Sequence, residues 1–160
     1  LSTGKNVKIE NRPFGDVGFS YVRDDTGRFI AQKHEFGLII EDDVDVGCFT
    51  TIDRGSWRDT VIGKGTKIDN HAHISHNCII GKHCIISAHT TILGSVEVGD
   101  YSEIWSNAII HQRIKIGKNC MVGANSYIRH DVPDEHCAYI YKGIQVNKRL
   151  DEVNYPKKVY

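Results

Sequence analysis

The sequence predicts an all-β fold, a parallel β-solenoid, on three observations. Every sixth residue from Ile62 to Ile128 is isoleucine or valine, without a gap. Four places after each of these anchors, from Thr66 to Val132, the residue is small or β-branched, as at Ala72, Cys78, Cys84, Thr90 and Ser102. Glycine often follows the anchor directly, as at Gly63, Gly81, Gly99, Gly117 and Gly123. An amphipathic helix needs apolar residues at spacings of three and four, so a strict six cannot hold one helical face inward. Short strands joined by tight corners can, with the anchors turned in and glycines easing the bends.

Taken in order, the chain begins with a hexad around Val7 and Ile9 and then breaks period over residues 13–37, a long excursion with a hairpin expected at "RDDTGRF". Ile40, Val46 and Ile52 restore the phase, and four extra residues near "SWRD" predict a bulge before Ile62. The unbroken hexads follow. After Pro133 the period ends, so the expected division is a β-helix over 1–132 and a carboxy-terminal extension over 133–160, holding at most a short helix or cap. Solenoids need such ends because an open last coil exposes strand edges and core.

A chain of 160 residues can bury a core without disulfides or metal. Lysine plus arginine equal aspartate plus glutamate at 20 each, which argues against nucleic acid as partner. No apolar run approaches a membrane span and no signal-peptide pattern is present, so a soluble protein is expected, and five cysteines, odd in number, suit a reducing cytoplasm. Five cysteines without a CxxC pair argue against a disulfide framework and a structural zinc site. Cys78, Cys84 and Cys120 fall on the inward small position, and Trp57 and Trp105 fall outward, where a subunit interface would use them. The first residue is Leu1 rather than methionine, which fits a processed product or a piece of something longer.

The hexad is similar to that of the hexapeptide-repeat proteins, whose coils are triangular, left-handed and 18 residues long. The stretches "GDVGFSYV", "TTIDRGSWRDTVIGKGTKIDNHAHISHNCIIG" and "VPDEHCAYIYKGIQVNK" resemble, in that order, the UDP-3-O-acylglucosamine N-acyltransferases of lipid A synthesis. The resemblance implies transfer of an acyl group from an acyl thioester to the amine of a nucleotide-linked amino sugar, in a homotrimer with sites between subunits. It implies no tightly bound cofactor, the donor being acyl carrier protein phosphopantetheine or coenzyme A.

Carried over residue by residue, the resemblance places the general base on His76 of "SHN" and its partnering acid on Asp69 of "IDN". It also places the oxyanion amide on Gly94, which an 18-residue coil stacks directly above His76. Arg54 falls below His76 once the four extra residues are removed, Gln112 falls above Gly94, and these with Asn70, His111 and Arg113 are the expected substrate contacts. The chemistry fits: an amine attacking a thioester loses a proton to a neutral imidazole, a carboxylate orients the ring, and donors meet the developing oxyanion.

Three departures stand out. Arg113 occupies the place of the family's second active-site histidine, with His111 two residues earlier, and arginine cannot act as a base. The family's amino-terminal uridine-binding domain is absent from these residues, and the carboxy-terminal extension is short. An acetyl-coenzyme A-dependent amino sugar N-acetyltransferase is therefore the related alternative. From other classes, a zinc enzyme like the hexapeptide-repeat carbonic anhydrases would need His71, His76 and His34 as ligands, and a non-catalytic scaffold would need none of them.

Overall fold

The computed structural model describes residues 1–9 and 15–153. Pro13 and Phe14 of the expected excursion and residues 154–160 of the expected extension lie outside them. The chain winds as a left-handed parallel β-solenoid of about six turns. Three sheets of six, five and eight strands form its faces. The first face carries Leu38–Ile40, Thr60–Ile62, Ile79–Ile80, Glu97–Val98 and Lys115–Ile116, capped below by Ser2–Thr3. The second includes Lys67–Ile68, Ile85–Ile86 and Glu103–Ile104, and the third Thr51–Ile52, His73–Ile74, Thr91–Ile92, Ile109–Ile110 and Tyr127–Ile128.

Register follows the hexad. Ile74 pairs with Ile92 and Ile92 with Ile110, a repeat of 18, whereas Ile52 pairs with Ile74, a repeat of 22. The four extra residues are thus absorbed in the segment between Ile52 and Thr60, as the phase break at "SWRD" predicted. Every anchor from Ile62 to Ile128 is buried, at 3% exposure or less. Full burial of such a side chain is worth about 1.5–3 kcal/mol relative to exposure, so the column of anchors is the main source of cohesion.

The small inward positions are buried too, and their hydroxyls serve the backbone. Thr66 Oγ1 donates to the Gly81 carbonyl and accepts from the Cys84 amide, and Ser102, two coils further on, repeats both bonds with Gly117 and Cys120. At this position a hydroxyl fills the space of a methyl and also ties one coil to the next. Corners are closed by residues with positive φ, such as His71, His89, Asn107 and Asn125 along one edge and Asn77, Ser95 and Arg113 along another.

The excursion contains the expected hairpin, Tyr21–Arg23 against Phe29–Ala31. Its two ends fold back along the corner between the third and first faces: Arg54 N–H donates to Asp16 O, and Gly55 N–H to Gly37 O. The carboxy-terminal end differs from the short helix the sequence allowed. Cys137 and Ala138 pair with Met121 and Val122, and His136–Tyr141 and Ile144–Arg149 form an antiparallel hairpin. Among the described residues only Leu150–Glu152 is helical, as a 3-10 turn. A hairpin covers the last strand edge of the second face, a task for which a terminal helix has no free ladder of hydrogen bonds. Trp57 is exposed as the phase predicted, whereas Trp105 is half-buried and lines a cavity of about 380 Å³ with Met121, Cys137 and Tyr139.

Candidate active site

The corner between the third and first faces gathers most of the residues singled out in the sequence. Ile74 pairing with Ile92 sets His76 beside Gly94, and the next pairing sets Gln112 beyond it. A Cβ built on Gly94 would stand 2.9 Å from His76 Cε1 and 3.1 Å from Nε2. The absence of a side chain at residue 94 is therefore what gives the imidazole its room. The Gly94 carbonyl accepts from Arg113 N–H, and its own amide has no acceptor among the described residues.

His76 is half-buried, and Asn77 Nδ2 donates to its Nδ1 at 2.7 Å. The orientation of that carboxamide is fixed by its other end, since Asn77 Oδ1 accepts from the Ser56 and Trp57 amides at 2.7 and 3.2 Å. In this arrangement the neutral ring carries its hydrogen on Nε2. Burial, then the neighbouring His34, hold the His76 imidazole below its ordinary value, while Asp53 pulls the other way and His73 adds to the depression.

Three residues outside the acyl-transfer set expected from the sequence complete the corner: Asp53, His73 and His34, the last weighed there only as a zinc ligand. The His34 and His76 rings meet edge to face with centroids 5.3 Å apart. Gly18, also from the excursion, fills the angle between them. A Cβ on Gly18 would lie 2.8 Å from Asp53 Oδ2, 2.9 Å from His34 Cε1 and 3.1 Å from His76 Cδ2. Burial raises the Asp53 carboxyl above its usual range, and His73, His76 and His34 partly offset the rise. His73 Nε2 stands 3.9 Å from Asp53 Oδ2 and 3.0 Å from Ser75 Oγ, and its Nδ1 meets Thr51 Oγ1 at 2.7 Å. Asp53 had a signal in "TTIDRG"; His34 was named only as a zinc ligand, because an aperiodic loop offers no ruler for its place beside His76.

The remaining candidates divide. Arg54 lies one coil below His76, with Nε bonded to Phe36 O, and His111, Gln112 and Arg113 line the same corner one coil above Gly94. Asp69 and Asn70 lie at a different corner, between the second and third faces. There the Asp69 carboxylate accepts from Asn70 N–H, and Asn70 Oδ1 accepts from the Cys48 amide in the coil below. Within one chain the expected Asp69–His76 pairing is not formed, because the corner turns the two side chains onto different edges. His71 shares the Asp69 corner, stacked between Phe49 and His89 at 5.2 and 4.9 Å. The ligand trio of the zinc reading is therefore split, and among the described residues no three His, Cys, Asp or Glu side chains are grouped to hold a metal ion.

Comparison with known proteins agrees with this architecture. The bacterial transferase hexapeptide family (six repeats) matches residues 59–94 and 95–130. A probable UDP-3-O-acylglucosamine N-acyltransferase 2 of Arabidopsis thaliana, mitochondrial, is 35% identical over 141 residues, covering 81% of this chain and 46% of that protein. A UDP-3-O-acylglucosamine N-acyltransferase of Methylorubrum extorquens is 44% identical over 119 residues, covering 74% and 34%. The chain thus spans less than half the length of these relatives. Among solved structures, a UDP-N-acetylglucosamine acyltransferase of Francisella novicida superposes with a TM-score of 0.77 at 22% identity, over 90% of this chain and 51% of that one, a likeness of fold. Among the described residues no helix is long and apolar enough to cross a membrane.

Proposed function

Because this chain belongs to the hexapeptide-repeat family, we propose that it is an N-acyltransferase moving an acyl group from a thioester to the amine of a nucleotide-linked amino sugar. The observation that carries the reading is the contact of Gly94 with the His76 imidazole, which joins a proton acceptor to an open backbone amide at one edge of the solenoid. In this reading the amine attacks the thioester carbonyl directly, His76 takes the proton, the Gly94 amide meets the oxyanion, and the thiol leaves. The inward cysteines take no part.

Acting as base at Nε2 requires the imidazole's own hydrogen on Nδ1, against the resting bond from Asn77. Leaving the Asn77 amide without its acceptor costs about 1–3 kcal/mol. General-base catalysis of 10² to 10⁴ is worth about 3–5 kcal/mol, so the exchange is favourable. Arg54, His111, Gln112 and Arg113 lie where they can meet the nucleotide phosphates or the donor, Arg113 as a fixed cation. Asn70 and Asp69 reach this chemistry only across a subunit boundary, and a homotrimer with sites between subunits supplies one.

The donor is an acyl carrier protein or coenzyme A thioester, and the acetyl-coenzyme A reading uses the same corner. The test is a mass-spectrometric product assay with a panel of amino sugar nucleotides, offering acetyl-coenzyme A and a hydroxyacyl carrier protein as donors. His76→Ala should lower transfer by about two orders of magnitude or more. Unchanged turnover in that variant would remove His76 from the mechanism.

A further inference from the structure

The reading above leaves the buried side of the corner unused. Asp53 presents a carboxylate whose side chain is only 18% exposed, and among the described residues no lysine or arginine lies within ion-pair range of it. The nearby arginines are engaged elsewhere, Arg54 with Phe36 O and Arg58 with Glu97. A second negative charge, Asp16, acts on Asp53 from the excursion. A half-buried anion without a fixed cation is costly, and it invites one from outside.

Beside it, His34 is 7% exposed and its Nε2 has no hydrogen-bond partner among the described residues. Its Nδ1 lies 3.2 Å from Gly18 N–H and 3.3 Å from Arg54 O, and in the tautomer that accepts the shorter bond from Gly18 the hydrogen sits on Nε2 as a donor. Buried ring nitrogens are normally satisfied, so this one calls for a partner. Gly18, with no side chain, lets Asp53 Oδ2 and the His34 and His76 rings converge where a Cβ would press on all three.

We propose that Asp53 and His34 form an acceptor subsite for a protonated primary amine with a neighbouring oxygen, the ammonium on Asp53 and the oxygen on His34 Nε2–H. The inference rests on the N-acyl transfer reading and adds a reason for two proton acceptors. An amine arriving as R–NH₃⁺ must shed one proton before it can attack and a second once the C–N bond has formed. Asp53 takes the first, and the freed lone pair attacks the thioester carbon. His76 takes the second as the tetrahedral intermediate collapses, and the C–S bond breaks to release a thiolate. Amide, thiol and one released proton account for every atom and charge. A hydroxyl acceptor sheds only one proton and has no charge to place on Asp53, so this subsite selects amines.

The test is a titration of protein carrying ¹⁵N-labelled histidine with D-glucosamine, D-glucose and N-acetyl-D-glucosamine, reading the imidazole nitrogens by NMR. Glucosamine should shift the His34 and His76 signals at concentrations about tenfold or more below those needed for either uncharged sugar. Asp53→Asn should erase that advantage, while His34→Phe should weaken all three sugars alike, with thermal unfolding showing that both variants fold. Should Asp53→Asn fail to fold, the wild-type comparison of charged and uncharged sugars decides alone. Equal response to the three sugars, an advantage surviving Asp53→Asn, or no response of either ring would overturn the subsite. No acyl donor enters the titration, so its failure is separable from failure of the transfer assay.

Discussion

Gly94 lies against the His76 ring so closely that one added carbon would press on Cε1 at 2.9 Å. Gly94→Ala should therefore displace the imidazole without disturbing the coil, since φ at this position lies outside the range that favours glycine. The expected result is a fall in kcat/KM of about 10- to 100-fold, in line with losing positioning at a reacting group, and stability within about 1 kcal/mol of the parent. Steady-state kinetics with denaturant unfolding checks both halves.

Acidity supplies a second prediction. Burial and His34 depress the His76 imidazole, so the acid limb of the kcat/KM profile should fall below its ordinary midpoint of about 6.5. The sign for stability follows from linkage. The unfolded chain binds the proton more readily than the folded one, so this contribution is present above the unfolded value and is lost as pH falls through the folded one. His76→Gln should flatten that part of a stability-versus-pH curve. Asp53, raised by burial, carries the opposite sign in the carboxylate range, its contribution being lost as pH rises through its folded value.

Thiol chemistry is expected to be silent at the core. Burial pushes the Cys78 thiol up to about 12, and its Sγ donates to the Leu93 carbonyl at 3.2 Å. Iodoacetamide at mildly alkaline pH should leave Cys78 unmodified in the native protein and label it only after denaturation, as read by peptide mass spectrometry.

Removing an anchor should damage the whole stack. Ile92 is fully buried between Ile74 and Ile110, and Ile92→Ala should cost about 2–5 kcal/mol in urea unfolding. A loss below about 1 kcal/mol would mean that adjacent coils collapse into the space.

The solenoid was legible because its strands report themselves every six residues, and even the bulge was visible as a phase error of four. The same ruler placed Gly94 over His76, since both lie in periodic sequence. It could not place His34 or Gly18, which sit in a segment whose path is set by contacts with the corner rather than by any repeat. It located Asp69 on the preceding side of the coil, but the resemblance tied it to His76, and within one chain a corner separates them. At the carboxy terminus the alternation in "HCAYIYKGIQVNKR" marks a hairpin, yet no hexad runs through it. The cap was read by default rather than by pattern.

The excursion also gives the molecule a division of labour. Its ends are anchored on the solenoid near Ile52 and Gly55, and its tip is a short hairpin well outside the coil. His34 and Gly18 ride on that inserted segment, whereas His76 and Gly94 ride on the repeating scaffold. A lineage could therefore rewrite one bank of the cleft by exchanging a single insert, leaving the opposite bank and the winding beneath it untouched. Diversification of what is recognised would then touch the chemistry performed only where the insert meets it, at the contact of the His34 and His76 rings.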